Sequence, residues 1–415
     1  MRVLLVNPPI FDFTAYDFWM RPYGMLRVAG RIRHACDLTF FDYLLSGRCD
    51  SWGRGRFAEQ PASKPPAFRD IARRYRRFGR PRAQFRAFLQ ERRFDIALIQ
   101  TGMTYWYQGL KEVIEDLREL APQAKIVLGG VYATLCPAHA RTLGADLVIE
   151  GDELGPLWRI LPAPQSALPY HDPAMGIVAA MKLTDGCPFH CTYCSVPLLH
   201  PRFTARPAAE CLQEARSLLR DGVQHVAFYD DALLFRPEEV LIPFLECVMG
   251  EQLPLSFHTP NALHVRLLTP QIAHLMVRAG FRSFFLGFES GSPGWLARTG
   301  GKLSPDEFAV AAACLRKAGA QSVTAYVIIG HPDDEYQKVE ASLHFAHRHG
   351  VRILLSEFAP IPGTADGERC GEWADLREPL SHNKTAFTIR RLGPERVNQL
   401  KTLCRDLNSR QTANP

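Results

Sequence analysis

Leu183-Thr184-Asp185-Gly186-Cys187-Pro188-Phe189-His190-Cys191-Thr192-Tyr193-Cys194 follows an apolar, strand-like run at residues 177–183 and precedes a helical segment. Its C-x3-C-x2-C spacing puts three thiolates on one tight loop. A [4Fe-4S] cube has four iron corners, so three protein thiolates leave one iron open to a ligand that is not protein. The alternative is a closed zinc site, with His190 or His200 completing a tetrahedron around the same cysteines. Two features count against zinc: no C-x2-C partner pair occurs elsewhere in the chain, and the loop joins a strand to a helix.

Downstream of residue 176 the chain reads as a repeating strand–helix series. Apolar runs at 177–183, 225–229, 255–259, 283–288, 322–329 and 353–358 predict strands. Helix starts are marked by Pro207, by Pro237-Glu238-Glu239, by Pro270, and by the capping box Ser304-Pro305-Asp306-Glu307. Six such units make a partial (β/α)6 barrel, whose active groups belong at the carboxyl ends of its strands. Those ends carry Tyr229-Asp230-Asp231, Gly287-Phe288-Glu289-Ser290, Gly330-His331-Pro332 and Pro360-Ile361-Pro362-Gly363. Any one of these residues taken singly is a helix cap by default, whereas the set together describes a polar rim. His258, Asn261 and His264 are expected after the third strand, at the barrel mouth, where one of them either binds substrate or moves a proton, or they are merely surface and satisfied core residues.

The first 150 residues have the same alternation on a smaller scale. Strands are predicted at 3–6, 38–41, 96–99, 126–128 and 147–149, with helices at 23–34 and 110–120 between them. This is a flavodoxin-like, doubly wound sheet, which binds ligands outside the carboxyl ends of its strands at the switch in strand order. Here those ends hold Asn7-Pro8-Pro9, Gln100-Thr101-Gly102, Gly129-Gly130 and Glu150-Gly151-Asp152-Glu153, and the glycines permit close approach to the backbone. The aromatic run Tyr105-Trp106-Tyr107 either covers a flat ligand or packs as core. Prolines 162, 164, 169 and 173 mark a connector. The expected organisation is therefore a domain at 1–160, a linker at 161–175, a second domain at 176–365, and a helical cap or tail at 366–415 with a helix at 394–407.

Composition sets the bounds. The chain has 415 residues, 47% hydrophobic and 22% charged, enough for two full cores of a soluble protein. No apolar run approaches a bilayer span, and the start Met1-Arg2-Val3-Leu4 has no signal-peptide zones, so a cytoplasmic location without membrane partners is expected. Of eleven cysteines, the eight outside the loop are scattered without ligand spacing. The net charge of +6 is uneven: residues 52–93 contain thirteen Lys or Arg against three Asp or Glu, a local +10, leaving about −4 elsewhere. That basic insertion either binds phosphate and stacks bases, or is a solvated helical insertion whose aromatics pack down on the domain.

The cysteine loop, with Tyr193 before its last cysteine, resembles the radical S-adenosylmethionine (SAM) superfamily. The N-terminal pieces Val3-Leu4-Leu5-Val6-Asn7-Pro8-Pro9, Tyr23-Gly24-Met25-Leu26-Arg27-Val28-Ala29, Leu128-Gly129-Gly130 and 146–153 resemble the cobalamin (B12)-binding domain that precedes the radical SAM domain in one branch of it. The resemblance implies an α/β protein, with an N-terminal flavodoxin-like (Rossmann-type) B12-binding domain followed by a partial (β/α)6 radical SAM barrel. It implies a [4Fe-4S] cluster on Cys187, Cys191 and Cys194, whose free iron chelates SAM and whose electron splits it to a 5'-deoxyadenosyl radical. It assigns Tyr193, Asp230, Asp231, Gly287, Glu289, Ser290 and Gly330 to the SAM side, and Asn7, Thr101, Gly129 and Gly130 to cobalamin. One departure stands out: no D-x-H-x-x-G loop follows the first strand, and in Asp42-Tyr43-Leu44-Leu45-Ser46-Gly47 leucine replaces the histidine, so cobalt would lack that ligand. The implied activity is cobalamin-dependent methyl transfer to an unactivated carbon of a small molecule or peptide, with an electron donor such as flavodoxin or ferredoxin. The alternatives are a radical SAM enzyme that rearranges or oxidises without methylating, and a nucleic-acid-binding protein with a structural metal.

Overall fold

The computed structural model describes residues 1–412, which divide into two compact units. Met1–Ala180, Arg220–Gly222 and Asp375–Asn383 form the first; Met181–Leu219, Val223–Ala374 and the chain from Lys384 form the second.

Strands of the first unit are β1 (Arg2–Asn7), β2 (Ile10–Asp12), β3 (Asp37–Asp42), β4 (Glu59–Pro61), β5 (Arg76–Phe78), β6 (Ile96–Thr101), β7 (Lys125–Gly130) and β8 (Leu147–Ile149). Five of them form a parallel sheet in the order β3-β1-β6-β7-β8. That is the flavodoxin order, with its switch between β1 and β6. Successive residues of β1 face opposite layers. Leu4 and Val6 pack with Leu110, Val113 and Leu117 of the helix Tyr107–Leu120, while Val3 and Leu5 pack with Met25 and Ala29 of the helix Tyr23–Ile32. Cover on both faces is why β1 reads as a continuous apolar run, each buried aliphatic contributing about 1.5–3 kcal/mol.

The basic insertion differs from the helical expectation. Its only α-helix among the described residues is Arg82–Gln90; its arginine-rich centre is strand β5, held antiparallel between β2 and β4. Phe78 packs with Ile10, Leu44 and Phe57, so the strand is anchored by its apolar side. The arginines meet an acidic helix. Arg77 is buried and bidentate to Glu112, Arg82 and Arg86 both reach the buried Asp116, and Arg86 also pairs with Glu119. The local +10 is thus partly neutralised by one face of Tyr107–Leu120.

The second unit holds β12 (His225–Phe228), β13 (Ser256–His264), β14 (Phe281–Glu289), β15 (Ser322–Ile329) and β16 (Arg352–Glu357), in a six-stranded sheet whose edge strand β9 (Val178–Met181) carries the chain across the boundary at Met181 and whose order is β16-β15-β14-β13-β12-β9. The short pair β10 (Thr184–Asp185) and β11 (Thr204–Ala205) sits beside it. The pairs from β12 to β16 are parallel, with helices Ala208–Arg220, Leu241–Gly250, Pro270–Arg278, Pro305–Lys317 and Tyr336–Arg348 between strands. Phe228, Phe244, Phe257 and Phe281 fill the core, Phe228 stacking on Phe281 at 5.4 Å. The capping box at Ser304 and Glu307 forms as expected. The start signal at Pro237 fires late: the helix begins at Leu241, behind a turn whose cap, Val240, offers no side-chain acceptor. The tail is helical, Lys384–Leu392 and Pro394–Thr412, and the latter buries Val397, Leu400 and Leu407.

Candidate active site

The cysteine loop hangs from a carboxylate scaffold. Asp230, at the end of β12, accepts the backbone N–H of Leu183 (2.8 Å) and of Thr184 (2.6 Å) and the Thr184 hydroxyl (2.8 Å) on one oxygen. Asp231 accepts from Gly186 N–H and from Lys182, each at 3.1 Å. Burial pushes the Asp230 carboxyl up to about 7, against the pull of Lys182 and those donors. Both aspartates expected on the SAM side therefore orient the strand end and loop base.

Within the loop the three thiols lie close enough to raise one another electrostatically. Burial is the larger cause, taking Cys194 up to about 12, while backbone N–H groups of Phe189 and Val196 favour the thiolates of Cys187 and Cys194. Tyr193 hydrogen-bonds Cys191 and stacks on Trp295 at 5.9 Å. His190 is exposed, and among the described residues no three His, Cys, Asp or Glu side chains close around a single ion position. A cube takes one thiolate per iron, so its ligands stand farther apart than those of one ion. Three facing thiols on one loop, supported by N–H donors, suit such a cluster.

A cation faces these sulfurs. Lys302, which sequence reasoning missed, pairs with Glu289 at 3.2 Å and opposes the rise of all three cysteine pKa values. Burial draws its own ammonium down, but Glu289 and Cys191 more than offset this and leave it raised. Glu289 has φ +64°, a left-handed conformation costly for a residue with a Cβ, at a register shift between β14 and β15. Gly287 makes room: a Cβ there would stand 2.8 Å from Lys302 Nζ and 2.9 Å from Glu289 Oε1. Only the Thr299-Gly300-Gly301-Lys302 run after a short helix marked this cation in the sequence.

The far side of the loop is gripped by a second network. Thr192 N–H donates to Thr299 O at 3.3 Å and its hydroxyl donates to Asp366, whose own N–H returns to Thr192 O at 3.0 Å. His331 is buried; its Nδ1 accepts from Trp295 Nε1 (3.2 Å) and Asp333 N–H (3.1 Å), which leaves Nε2–H to donate to Asp366 (3.0 Å). Burial would raise the Asp366 carboxyl, but His331 and Thr192 hold it down at about 2.

The other expected residues are placed as follows. Ser290 accepts the Ser292 N–H at 3.1 Å within the turn after β14. Gly330 abuts Thr388, whose Oγ1 a Cβ would meet at 2.3 Å, so its missing side chain serves helix packing. His258 lies inside β13 and is fully buried, with Ser283 Oγ at 2.8 Å and His225 Nδ1 at 3.1 Å; it is a core histidine and not a mouth residue. Asn261 donates to Asp230 O at 2.8 Å, and His264 ends β13 beside Gly287.

In the first unit, Asn7 donates to Asp42 at 2.8 Å and Thr101 Oγ1 accepts Ala133 N–H at 3.1 Å, so both serve the fold. Gly130 has φ +114° and a Cβ there would meet Thr101 O at 2.5 Å, whereas at Gly129 a Cβ would make only an ordinary contact with Ile149 Cβ at 3.7 Å. The end of β7 can therefore admit a ligand alongside Gly129, as a cobalamin tail requires. Trp106 donates to Asp12 at 2.9 Å, Tyr107 to Glu378 at 3.3 Å, and Tyr105 is buried: this run is packing.

Comparison with known families agrees with this architecture. The B12 binding domain matches residues 73–157 and the radical SAM superfamily residues 181–346, so the B12-binding domain precedes the radical SAM domain along the sequence. Among curated relatives, an uncharacterised methyltransferase of Pyrococcus horikoshii is 28% identical over 195 residues, 46% of this chain and 42% of that protein. The ribosomal protein uS12 methylthiotransferase RimO of Kineococcus radiotolerans is 26% identical over 275 residues, 58% of this chain and 56% of that one. The chain thus spans about half the length of these relatives. Of solved structures, the radical SAM methyltransferase TsrM of Kitasatospora setae, with cobalamin and a [4Fe-4S] cluster bound, matches with TM-score 0.69 at 15% identity over 97% of this chain and 90% of that one. The cobalamin-dependent radical enzyme OxsB matches with TM-score 0.58 at 13% identity, over 98% of this chain and 61% of that one. At these identities the likeness is one of fold. No helix among the described residues is long and apolar enough to cross a membrane.

Proposed function

We propose that this chain is a cobalamin-dependent radical SAM methyltransferase acting on an unactivated carbon of a small molecule or peptide. When bound, the cluster and SAM supply a 5'-deoxyadenosyl radical and cobalamin supplies a transferable methyl group. The observation that carries the reading is the Glu289–Lys302 pair facing three thiols on one loop. Cys187, Cys191 and Cys194 hold the cluster. Glu289 then receives the ammonium of SAM and Lys302 its carboxylate, so that their mutual pairing is exchanged for two charge-assisted contacts to the cosubstrate. Asp230, Asp231 and Asp366 hold the loop in place, and Tyr193 stacks on Trp295 beside it. In the first unit the flank of Gly129, bare of a side chain of its own, receives cobalamin, with no histidine offered by the loop after β1.

The nucleic-acid reading loses its main support, because Arg77, Arg82 and Arg86 are committed to acidic partners within the domain. The test is methyl transfer itself: cobalamin-loaded, cluster-loaded protein given reductant and methyl-labelled SAM should label cobalamin and then the substrate. Formation of 5'-deoxyadenosine with no label ever reaching cobalamin supports the non-methylating alternative and refutes methyl transfer.

A further inference from the structure

His264 is the last residue of β13, in register with Gly287 on β14, two residues short of Glu289. It is only 6% exposed, and neither of its ring nitrogens has a hydrogen-bond partner. Its ring lies almost flat against Phe189, with centroids 4.0 Å apart and planes inclined by 30°, and Phe189 is the middle of the three residues between the first two cysteines of the loop. A buried imidazole with both nitrogens idle leaves a donor and an acceptor stripped of water and uncompensated unless something occupies them. Burial, and then the charges of Lys302 and Arg266, draw its pKa down to about 3. The ring is therefore neutral at working pH, offering one donor and one acceptor and no charge.

This combination selects among the polar groups of a SAM molecule. Its ammonium and carboxylate are matched by the charged pair Glu289 and Lys302. Its ribose hydroxyls and adenine edge are neutral, and each can both give and take a hydrogen bond. We propose that His264 is a binding residue for the nucleoside half of SAM, exchanging its two idle nitrogens for hydrogen bonds to those neutral groups, with Phe189 fixing the plane of its ring. The assignment rests on the reading that SAM binds at the three-cysteine loop.

Cluster-reconstituted wild-type protein and the variants His264→Phe and His264→Asn are titrated anaerobically with SAM, with methionine and with 5'-methylthioadenosine, binding being read by calorimetry. His264→Phe should weaken SAM and 5'-methylthioadenosine about tenfold, the equivalent of one hydrogen bond, and leave methionine binding and cluster iron unchanged. His264→Asn, which keeps a donor and an acceptor, should recover part of the loss. Should His264→Phe fail to load a cluster, His264→Met is read in the same way. Equal SAM affinity in wild type and in a loaded apolar variant overturns the inference, as does a loss confined to methionine. Failure of loaded wild type to bind SAM at all instead overturns the reading of the site, and the inference with it.

Discussion

Lys302 Nζ stands 3.2 Å from Glu289 Oε1, and the ammonium in turn acts on all three loop cysteines, so one cation links the strained end of β14 to the cluster loop. A carboxylate beside three thiols would disfavour the negative charge a cluster carries; the lysine offsets it. Replacing Lys302 by Met should lower SAM affinity about tenfold or more while leaving cluster iron in place. Calorimetry with SAM and iron analysis of the same sample check this. Loss of iron together with folding would make the lysine structural.

Two adjacent glycines should respond differently. Gly130→Ala forces a Cβ into Thr101 O at a positive φ and should lower the melting temperature of the first unit. Gly129→Leu has ordinary backbone geometry and its Cβ meets only Ile149 Cβ, at 3.7 Å, so the fold should persist while cobalamin binding falls. Thermal melts and absorbance titration with cobalamin separate the two. Unchanged cobalamin affinity in Gly129→Leu would place the ligand elsewhere.

Asp230 gives a pH dependence with a definite sign. Its folded pKa, about 7, lies above the unfolded value, so between roughly pH 4 and 7 the native state holds a proton that the unfolded chain has released. Stability should therefore fall as pH rises through this window, at most about 1.4 kcal/mol per pH unit from this group. Asp230→Asn, which keeps the accepting oxygen, should flatten that slope in melts of cluster-free protein. An unchanged slope would assign the proton to another group.

The arginines of residues 52–93 should divide by partner, not by position. Glu112→Gln leaves the buried Arg77 guanidinium uncompensated and should cost about 3 kcal/mol. Arg74→Glu, at an exposed site, should change stability by no more than about 0.5 kcal/mol. Denaturant unfolding of both variants tests the contrast.

The strands of both sheets were legible because parallel sheets covered on both faces write themselves as apolar runs, as at Val3 to Val6 and Ser322–Ile329. The cysteine loop was legible because its ligands are local in sequence. Lys302 and Asp366 were not, since only the folded chain brings them, with the strand-end His331, to residues 187–194, and a lysine after two glycines has no spacing rule of its own. The strand at Arg76–Phe78 departs from the helical alternative because arginine and aromatics fit either period, and Glu112, the buried partner of Arg77, lies 35 residues along the chain. Asp230 and Thr101 stood at the expected strand ends, but strand-end position alone does not tell a ligand-facing carboxylate or hydroxyl from one that caps the backbone, as both of these do.

The central claim is that Cys187, Cys191 and Cys194 hold a cluster that reduces SAM. The most direct measurement is iron, sulfide and 5'-deoxyadenosine on one anaerobic preparation, before and after reduction in the presence of SAM. The account predicts about four irons and four sulfides per chain, and 5'-deoxyadenosine only after reduction, with all three lost when the cysteines are changed together to alanine. Stoichiometric zinc in place of iron, or a full cluster that never yields 5'-deoxyadenosine, would contradict it.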